Sequence, residues 1–253
     1  QATPALTEEL NQGLTAAALT SRGEVAALVR QVGQEQELIV VRALPSTSPR
    51  PVRTGVTGTE ISPPMWLVPG ANAIGLVVAD QRLYWFDTRG KAHEIQVTGL
   101  AGPIQTVAIS PEQRRLAIIA GDRLYLAQVV YERDTVSVLA PRALPTSLTG
   151  LTDVTFSHEQ QLIVAGRREN RTGLYRLTVD GAVEHRLLDL GNATVTNLTA
   201  HPRPPAAEVP VLMYEADGRA HSFTGAPTLI RPDDLIDPPE EAVSPPYAPF
   251  FLR

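Results

Sequence analysis

The side chains with which this chain could do acid–base or metal chemistry are its histidines and carboxylates. The five histidines are His93, His158, His185, His201 and His221. No two fall at the spacing that aims both at a metal from one helix face, and no His-Glu-x-x-His occurs. They recur at similar places in turns and outer strands, so exposed or locally hydrogen-bonded imidazole is the better reading. No Gly-x-Ser-x-Gly elbow, glycine-rich phosphate loop or EF-hand spacing is present. The chain has no cysteine, which excludes disulfides and thiolate metal sites. Asp233-Asp234 and Glu240-Glu241 are paired carboxylates, but they sit in the C-terminal tail. A glycosidase needs two carboxylates placed across a cleft, so solvated tail charge is the better reading. No catalytic, cofactor-binding or metal-ligating residue is assigned, and no cofactor is expected.

Two basic spots remain, Arg114-Arg115 and Arg167-Arg168. Each reads as a turn between strands. The bland reading is solubility, and the functional one is a partner-binding rim on one loop face. Trp66 stands where the neighbouring copies of a repeat have Val107 and Val154, so it either lines a channel or packs between blades, and packing is the better reading. Trp85 reads as packing. Sequons at Asn170, Asn192 and Asn197 read as chance occurrences.

The elements that would position these residues recur. One unit has an apolar strand, a polar turn, a second apolar strand, a tight turn and a third strand carrying Leu-Tyr or similar. The clearest copy runs from Val107 through Ser110-Pro111 and Leu116 to Ala120, then Asp122-Arg123-Leu124-Tyr125-Leu126. Others run from Val154 through Ser157 and Leu162 to Leu174-Tyr175, and from Trp66 through Gly75 to Leu83-Tyr84-Trp85. Weaker copies lie at 17–40 and 198–223. The turn positions Ser21, Pro69, Ser110, Ser157 and Pro202 repeat at roughly 45 residues, the period of a four-stranded propeller blade. Fourth, outer strands fit residues 52–54, 92–97, 136–139, 183–188 and 228–230. Asp180-Gly181, Asp217-Gly218 and Arg89-Gly90 read as hairpin turns. The inner strands are nearly continuous apolar runs, as expected of strands buried on both faces. The chain therefore reads as an all-β protein, a single β-propeller of about five blades, six being the alternative. Its innermost strands fall near Ala17, Leu67, Ala108, Thr155 and Thr199. A linker is expected at residues 1–13, the propeller at 14–230 and a proline-rich acidic tail at 231–253. The tail is expected to pack on the propeller through Tyr247, Phe250 and Phe251.

The net charge is −5, which argues against nucleic acid and anionic lipid partners, since both want clustered Lys and Arg. Aromatics are only 5% of residues, which counts against a carbohydrate platform. No stretch is apolar and long enough to cross a membrane.

The run Ser110-Pro111-Glu112-Gln113-Arg114-Arg115-Leu116-Ala117, then Gly121-Asp122-Arg123-Leu124-Tyr125, resembles the turn and Leu-Tyr strand of TolB-like propellers. Its continuation through Ala127-Gln128-Val129-Val130, Pro141-Arg142-Ala143-Leu144 and Leu151-Thr152-Asp153-Val154-Thr155-Phe156 resembles the C-terminal propeller of the actinobacterial LpqB lipoproteins. The likeness covers about residues 14–226 and rests on order and spacing more than on any invariant motif. It implies a longer protein held on the outer face of the cytoplasmic membrane by an N-terminal lipid anchor that this chain lacks. It also implies a non-enzymatic regulatory module, acting as a monomer on the extracytoplasmic domain of the sensor histidine kinase MtrB in the Mtr two-component system. It supplies no binding residues. Two other classes stay open on the residues alone: a propeller hydrolase or lyase with carboxylates at a channel mouth, and a cell-wall or carbohydrate binder.

Overall fold

The computed structural model describes residues 12–20, 23–42, 50–67, 73–132, 135–181, 184–201, 211–223 and 227–229. The expected N-terminal linker up to residue 11, the turn residues Ser21, Pro69 and Pro202, and the C-terminal aromatics lie outside them. Every regular element among the described residues is a β-strand, and the strands form five antiparallel four-stranded sheets. Blade 1 holds β1 (Leu14–Leu19), β2 (Val25–Val32), β3 (Glu35–Arg42) and β4 (Arg50–Gly58). Blade 2 holds β5 (Met65–Trp66), β6 (Ile74–Ala79), β7 (Arg82–Asp87) and β8 (Ala92–Glu94). Blade 3 holds β9 (Ile104–Ile109), β10 (Arg115–Ala120), β11 (Arg123–Glu132) and β12 (Thr135–Ala143). Blade 4 holds β13 (Thr149–His158), β14 (Gln161–Arg168), β15 (Arg171–Thr178) and β16 (Glu184–Gly191). Blade 5 holds β17 (Val195–His201), β18 (Val211–Ala216), β19 (Arg219–Phe223) and β20 (Pro227–Leu229). In each blade the strands pair in chain order, the architecture of a five-bladed β-propeller. The expected blade count and innermost strands are as read from the repeat. Leu67 follows the two-residue strand β5 directly.

The chain divides into two compact units, one with blades 1 and 2, the other with the body of blades 3 to 5. In the second unit, alternate residues of β14 take opposite sides. Leu162 and Val164 pack with Ala117, Ile119 and Leu124 of blade 3. Ile163 and Ala165 pack with Leu212, Tyr214 and Phe223 of blade 5. A strand covered on both faces has no place for a polar residue, which is why these runs carry no polar–apolar alternation. In the first unit, Val77 and Phe86 of blade 2 pack against Ala27, Val29, Leu38 and Val40 of blade 1.

Strands two and three of every blade are joined by two residues: Gly33-Gln34, Asp80-Gln81, Gly121-Asp122, Glu169-Asn170 and Asp217-Gly218. The first of each pair has positive φ, and in blades 2, 4 and 5 so does the second. Such mirror-image turns match the right-handed twist of the strands they join. Asp217-Gly218 behaves as read from sequence. Asp80-Gln81 and Glu169-Asn170 take the same conformation without glycine and escaped that reading.

The turn between strands one and two has a repeated internal scaffold. Ser110 Oγ accepts the Arg115 N–H at 3.2 Å and Ser110 N–H meets the Arg115 carbonyl at 2.9 Å. Thr20 makes the same two bonds with Val25, at 3.3 and 2.9 Å. The recurring residue of blade 1 is thus Thr20, one before the Ser21 expected, because it is Thr20 that makes the two bonds Ser110 makes in blade 3. Blade 2 also shifts. Trp66 pairs with Gly75, whereas Val107 pairs with Ile118. Since Gly75 occupies the place of Leu116, Trp66 corresponds to Ile109 and Phe156. The shift of two keeps it on the same face. Trp66 is buried, stands edge-on to Phe86 at 5.0 Å and donates its indole N–H to the Ala18 carbonyl at 3.1 Å. It packs between blades 1 and 2.

Candidate protein interface

The sequence-predicted rim of Arg114, Arg115, Arg167 and Arg168 does not form one face. Arg115 opens β10 at the strand one-to-two turn, the level at which Gln161 opens β14 of the next blade. Arg167 and Arg168 close β14 at its other end. Six residues of strand separate the two levels, about 20 Å at 3.3 Å per residue. Two of the four are also committed locally. Arg115 Nη1 donates to the Glu159 carbonyl at 3.0 Å, and its guanidinium is 3.6 Å from the Glu159 carboxylate. That carboxylate accepts the Glu112 N–H at 3.1 Å, which stitches the turns of blades 3 and 4. Arg168 folds back over the Tyr175 ring at 5.8 Å, bonds Ser147 Oγ at 2.7 Å and pairs with Glu184. Glu184 further accepts the Thr146 hydroxyl at 2.9 Å and the Ser147 N–H at 3.2 Å. Arg114 and Arg167 are exposed, with no side-chain partner among the described residues.

A different set of arginines does recur. The first residue of strand three is Arg82 in blade 2, Arg123 in blade 3, Arg171 in blade 4 and Arg219 in blade 5, all exposed. Each directly follows its two-residue hairpin, and blade 1 has Glu35 there. The pairs Gln81-Arg82, Asp122-Arg123, Asn170-Arg171 and Gly218-Arg219 were the available sequence signal, visible only when copies are aligned on the hairpin and not on the preceding turn. Arg82 lies 3.5 Å from Glu94. Arg171 forks onto Asp189 at 3.0 to 3.2 Å, and Arg186 reaches the same carboxylate at 3.3 Å. The Gly191 N–H and then Arg171 hold Asp189 below the usual carboxylate range. Arg123 and Arg219 have no side-chain partner among the described residues. In the second unit, Arg123, Arg167, Arg171 and Arg219 therefore share the hairpin ends of blades 3 to 5.

The hairpin carboxylates partly turn away from these arginines. Asp217 accepts the Thr194 N–H at 3.0 Å. Asp80 accepts the Thr59 N–H and hydroxyl at 2.9 and 2.8 Å and the Glu60 N–H at 3.2 Å. The Thr59 hydroxyl and the Glu60 N–H together hold Asp80 below the usual range. Each ties a hairpin to the segment leading into the first strand of a blade.

One carboxylate lies at the innermost strands. Asp153 of β13 accepts the Thr106 hydroxyl of β9 at 3.3 Å, the Val154 N–H at 2.8 Å and the Leu198 N–H of β17 at 2.7 Å. It thereby spans blades 3, 4 and 5. The Leu198 N–H is free to reach it because β17 bulges between Thr196 and Thr199, with Asn197 at φ +53°. The residue as a whole keeps some exposed surface, but its carboxylate lies under neighbouring strands. Burial pushes its pKa up to about 6, against the pull of the Leu198 and Val154 N–H groups and the Thr106 hydroxyl. No cation partners it among the described residues.

The histidines are dispersed. His93 lies 5.1 Å from the Trp85 ring and His221 stacks on Tyr214 at 5.3 Å. His158 Nδ1 accepts the Gln160 N–H at 3.3 Å, and His185 is exposed on β16. Among the described residues no group of three or more His, Asp or Glu side chains is placed to hold a metal ion.

The four-stranded blades define a β-propeller domain, with exposed arginines repeated at the hairpin ends of blades 2 to 5. Solved structures share the fold. A TolB-type protein from Agrobacterium tumefaciens matches at a TM-score of 0.58 and 12% identity, over 85% of this chain and 79% of that one. The Swd1 β-propeller domain of Myceliophteria thermophila matches at 0.55 and 13%, over 79% and 66%. A puromycin-hydrolyzing peptidase of Mycobacterium tuberculosis matches at 0.50 and 17%, over 79% of this chain and 34% of the peptidase, so the chain spans about a third of that enzyme. No curated protein sequence matches the chain. The chain belongs to the lipoprotein LpqB β-propeller domain family, whose model matches residues 1–218. That membership points to an extracytoplasmic, envelope-associated protein.

Proposed function

We propose that this propeller is the non-catalytic interaction module of an actinobacterial lipoprotein, held by a lipid anchor at the outer face of the cytoplasmic membrane. Its partner is the extracytoplasmic domain of the sensor histidine kinase of the Mtr system, MtrB, whose activity it modulates. The observation that carries the reading is the recurrence of Arg123, Arg171 and Arg219 at equivalent hairpin ends, joined by Arg167. Packing does not require these side chains, and Arg123, Arg167 and Arg219 have no side-chain partner among the described residues. Family membership supports it. The sheet edges support it too, since each outermost strand is unfit to take up an added strand. β8 and β20 have three residues each, β16 shifts register twice, β12 has Ala140 at φ +50° before Pro141, and β4 carries Pro51 and an irregular register. A partner is therefore read by loop ends.

Arginine contacts at an exposed rim act mainly on association rate and salt dependence. Affinity is modest, because anchoring both proteins in one membrane raises their effective concentration. The test is a titration of the purified chain with the kinase's extracytoplasmic domain at two salt concentrations. Reversing Arg123, Arg167, Arg171 and Arg219 to Glu weakens binding and flattens the salt dependence, while Arg114→Glu at the opposite blade ends leaves both unchanged. No binding by the intact propeller overturns the reading. Turnover of an ester or glycoside that is lost on replacing Asp153 would put a hydrolase in its place.

A further inference from the structure

Asp153 sits where three innermost strands leave regular pairing. β9 is irregular between Ile104 and Thr106, β13 between Thr149 and Asp153, and β17 between Thr196 and Thr199. A bulge bends its strand and frees backbone groups from the ladder. In β17 the freed group crosses to another blade. Asn197 takes φ +53°, and Asp153 Oδ2 of blade 4 accepts the Leu198 N–H at 2.7 Å. Within blade 5 the bulge has a second tie, the Asn197 side-chain amide donating to Glu215 at 3.0 Å. Oδ2 takes no other bond among the described residues, while Oδ1 takes the Val154 N–H and the Thr106 hydroxyl.

The strength of the Leu198 bond depends on one proton. An ionised carboxylate accepts an N–H about twice as strongly as a neutral oxygen does. A proton on Oδ2 displaces the Leu198 N–H outright. A proton on Oδ1 is donated to Thr106 Oγ and leaves Oδ2 a neutral carbonyl oxygen. Either way the bulge is held less firmly. The charged side chains on the strands packed here are Arg115 of β10, Arg167 and Arg168 of β14 and Glu215 of β18, while His158 and His201 close β13 and β17. Arg115 is committed to Glu159, Arg168 to Glu184 and Glu215 to Asn197, and Arg167 is exposed at the hairpin end. Burial therefore governs the proton and puts the Asp153 pKa at about 6, where ordinary carboxylates stay ionised.

We propose that Asp153 is a proton-operated latch on the β17 bulge: its carboxylate fixes the Leu198 N–H, and protonation loosens the innermost strand of blade 5 while the blade stays folded. Local order and global stability then run in opposite directions. Acid relieves the cost of the buried charge, which stabilises the fold, and at the same time weakens the one bond that holds the bulge from blade 4. The hairpin that presents Arg219 is tied to the start of the same strand. Asp217 accepts the Thr194 N–H at 3.0 Å and donates its own N–H to the Thr194 carbonyl at 3.2 Å. A looser β17 slackens that hairpin, and this consequence for partner binding alone rests on the kinase reading.

The experiment uses the full chain and no partner. Amide hydrogen exchange at Leu198 is followed from pH 5 to pH 7.5 and expressed as protection relative to an unstructured amide at each pH. Ile163, in the middle of β14, reports on the fold as a whole. Histidines titrate in the same range, so Asp153→Asn, which offers a neutral acceptor at every pH, is the control. The latch lowers Leu198 protection by about tenfold between pH 7.5 and pH 5, the difference between a charged and a neutral acceptor, while Ile163 protection rises or holds. In D153N the Leu198 protection is flat with pH. Leu198 protection that stays constant or rises in acid overturns the proposal, as does the same acid loss in D153N. Failure of the kinase titration with this exchange pattern intact removes the proposed partner and leaves the latch standing.

Discussion

Replacing Asp153 by Asn makes the protein more stable at neutral pH and less stable in acid. In the folded chain burial holds the Asp153 carboxyl at a pKa of about 6, while the unfolded chain has the ordinary value of 3.8. Between those values the folded state binds the proton and the unfolded state does not. Stability therefore falls as pH rises through that window and is flat above it. The difference amounts to at most about 3 kcal/mol at pH 7, less to the extent that the exposed part of the residue is screened. Asn removes the titration. Its Oδ1 still accepts the Leu198 N–H and its Nδ2 can donate to the Thr106 hydroxyl, but the Val154 N–H loses its acceptor, a cost of about 1 kcal/mol. The net expectation is a gain of about 2 kcal/mol at pH 7, a rise in Tm of about 4 to 8 °C for a domain of this size. At pH 4 the variant is about 1 kcal/mol less stable. The assay is urea unfolding of both proteins from pH 4 to pH 8. Parallel stability profiles across that range would refute the reasoning, because they would mean that Asp153 is not the group held above its ordinary pKa.

Three further perturbations separate packing from polar contacts. Tyr125 Oη accepts the Ala101 N–H at 2.9 Å, whereas the equivalent Tyr175 hydroxyl is buried without a partner among the described residues. Tyr125→Phe should cost about 1 kcal/mol in chemical unfolding and Tyr175→Phe nothing or less. Trp66→Ala removes a buried ring and the bond to the Ala18 carbonyl, and should lower stability by about 3 to 5 kcal/mol. Gly173→Ala places a Cβ 2.6 Å from the Leu188 carbonyl oxygen and should lower stability by about 1 to 3 kcal/mol. Gly191→Ala, with open space around its Cβ but φ +66°, costs only backbone strain.

The sequence by itself determined the blades. A strand buried on both faces must be apolar throughout, which leaves a mark that repeats in the blades, and a two-residue hairpin must accept positive φ, which leaves a mark only where glycine supplies it, as at Asp217-Gly218. Those marks suffice to count five blades and to place β10, β11, β14 and β15. They work because the causes are local, within a dozen residues. The structure decided what depends on residues a blade apart. The register of blade 1 turned on which hydroxyl, Thr20 or Ser21, caps a turn, and that of blade 2 on the partner of Gly75. The split of the four rim arginines came from strand direction, since the start and the end of β14 lie at opposite ends of the blade although both read as turns. The fates of Tyr125 and Tyr175 differ only because one hydroxyl meets a backbone N–H and the other does not. Asp153 carries no local signal at all. Its partners Thr106 and Leu198 stand 47 and 45 residues away, brought to one carboxylate because consecutive blades stack and a bulge in β17 frees one N–H. Such a contact is a property of the stacking, and no window of sequence contains it.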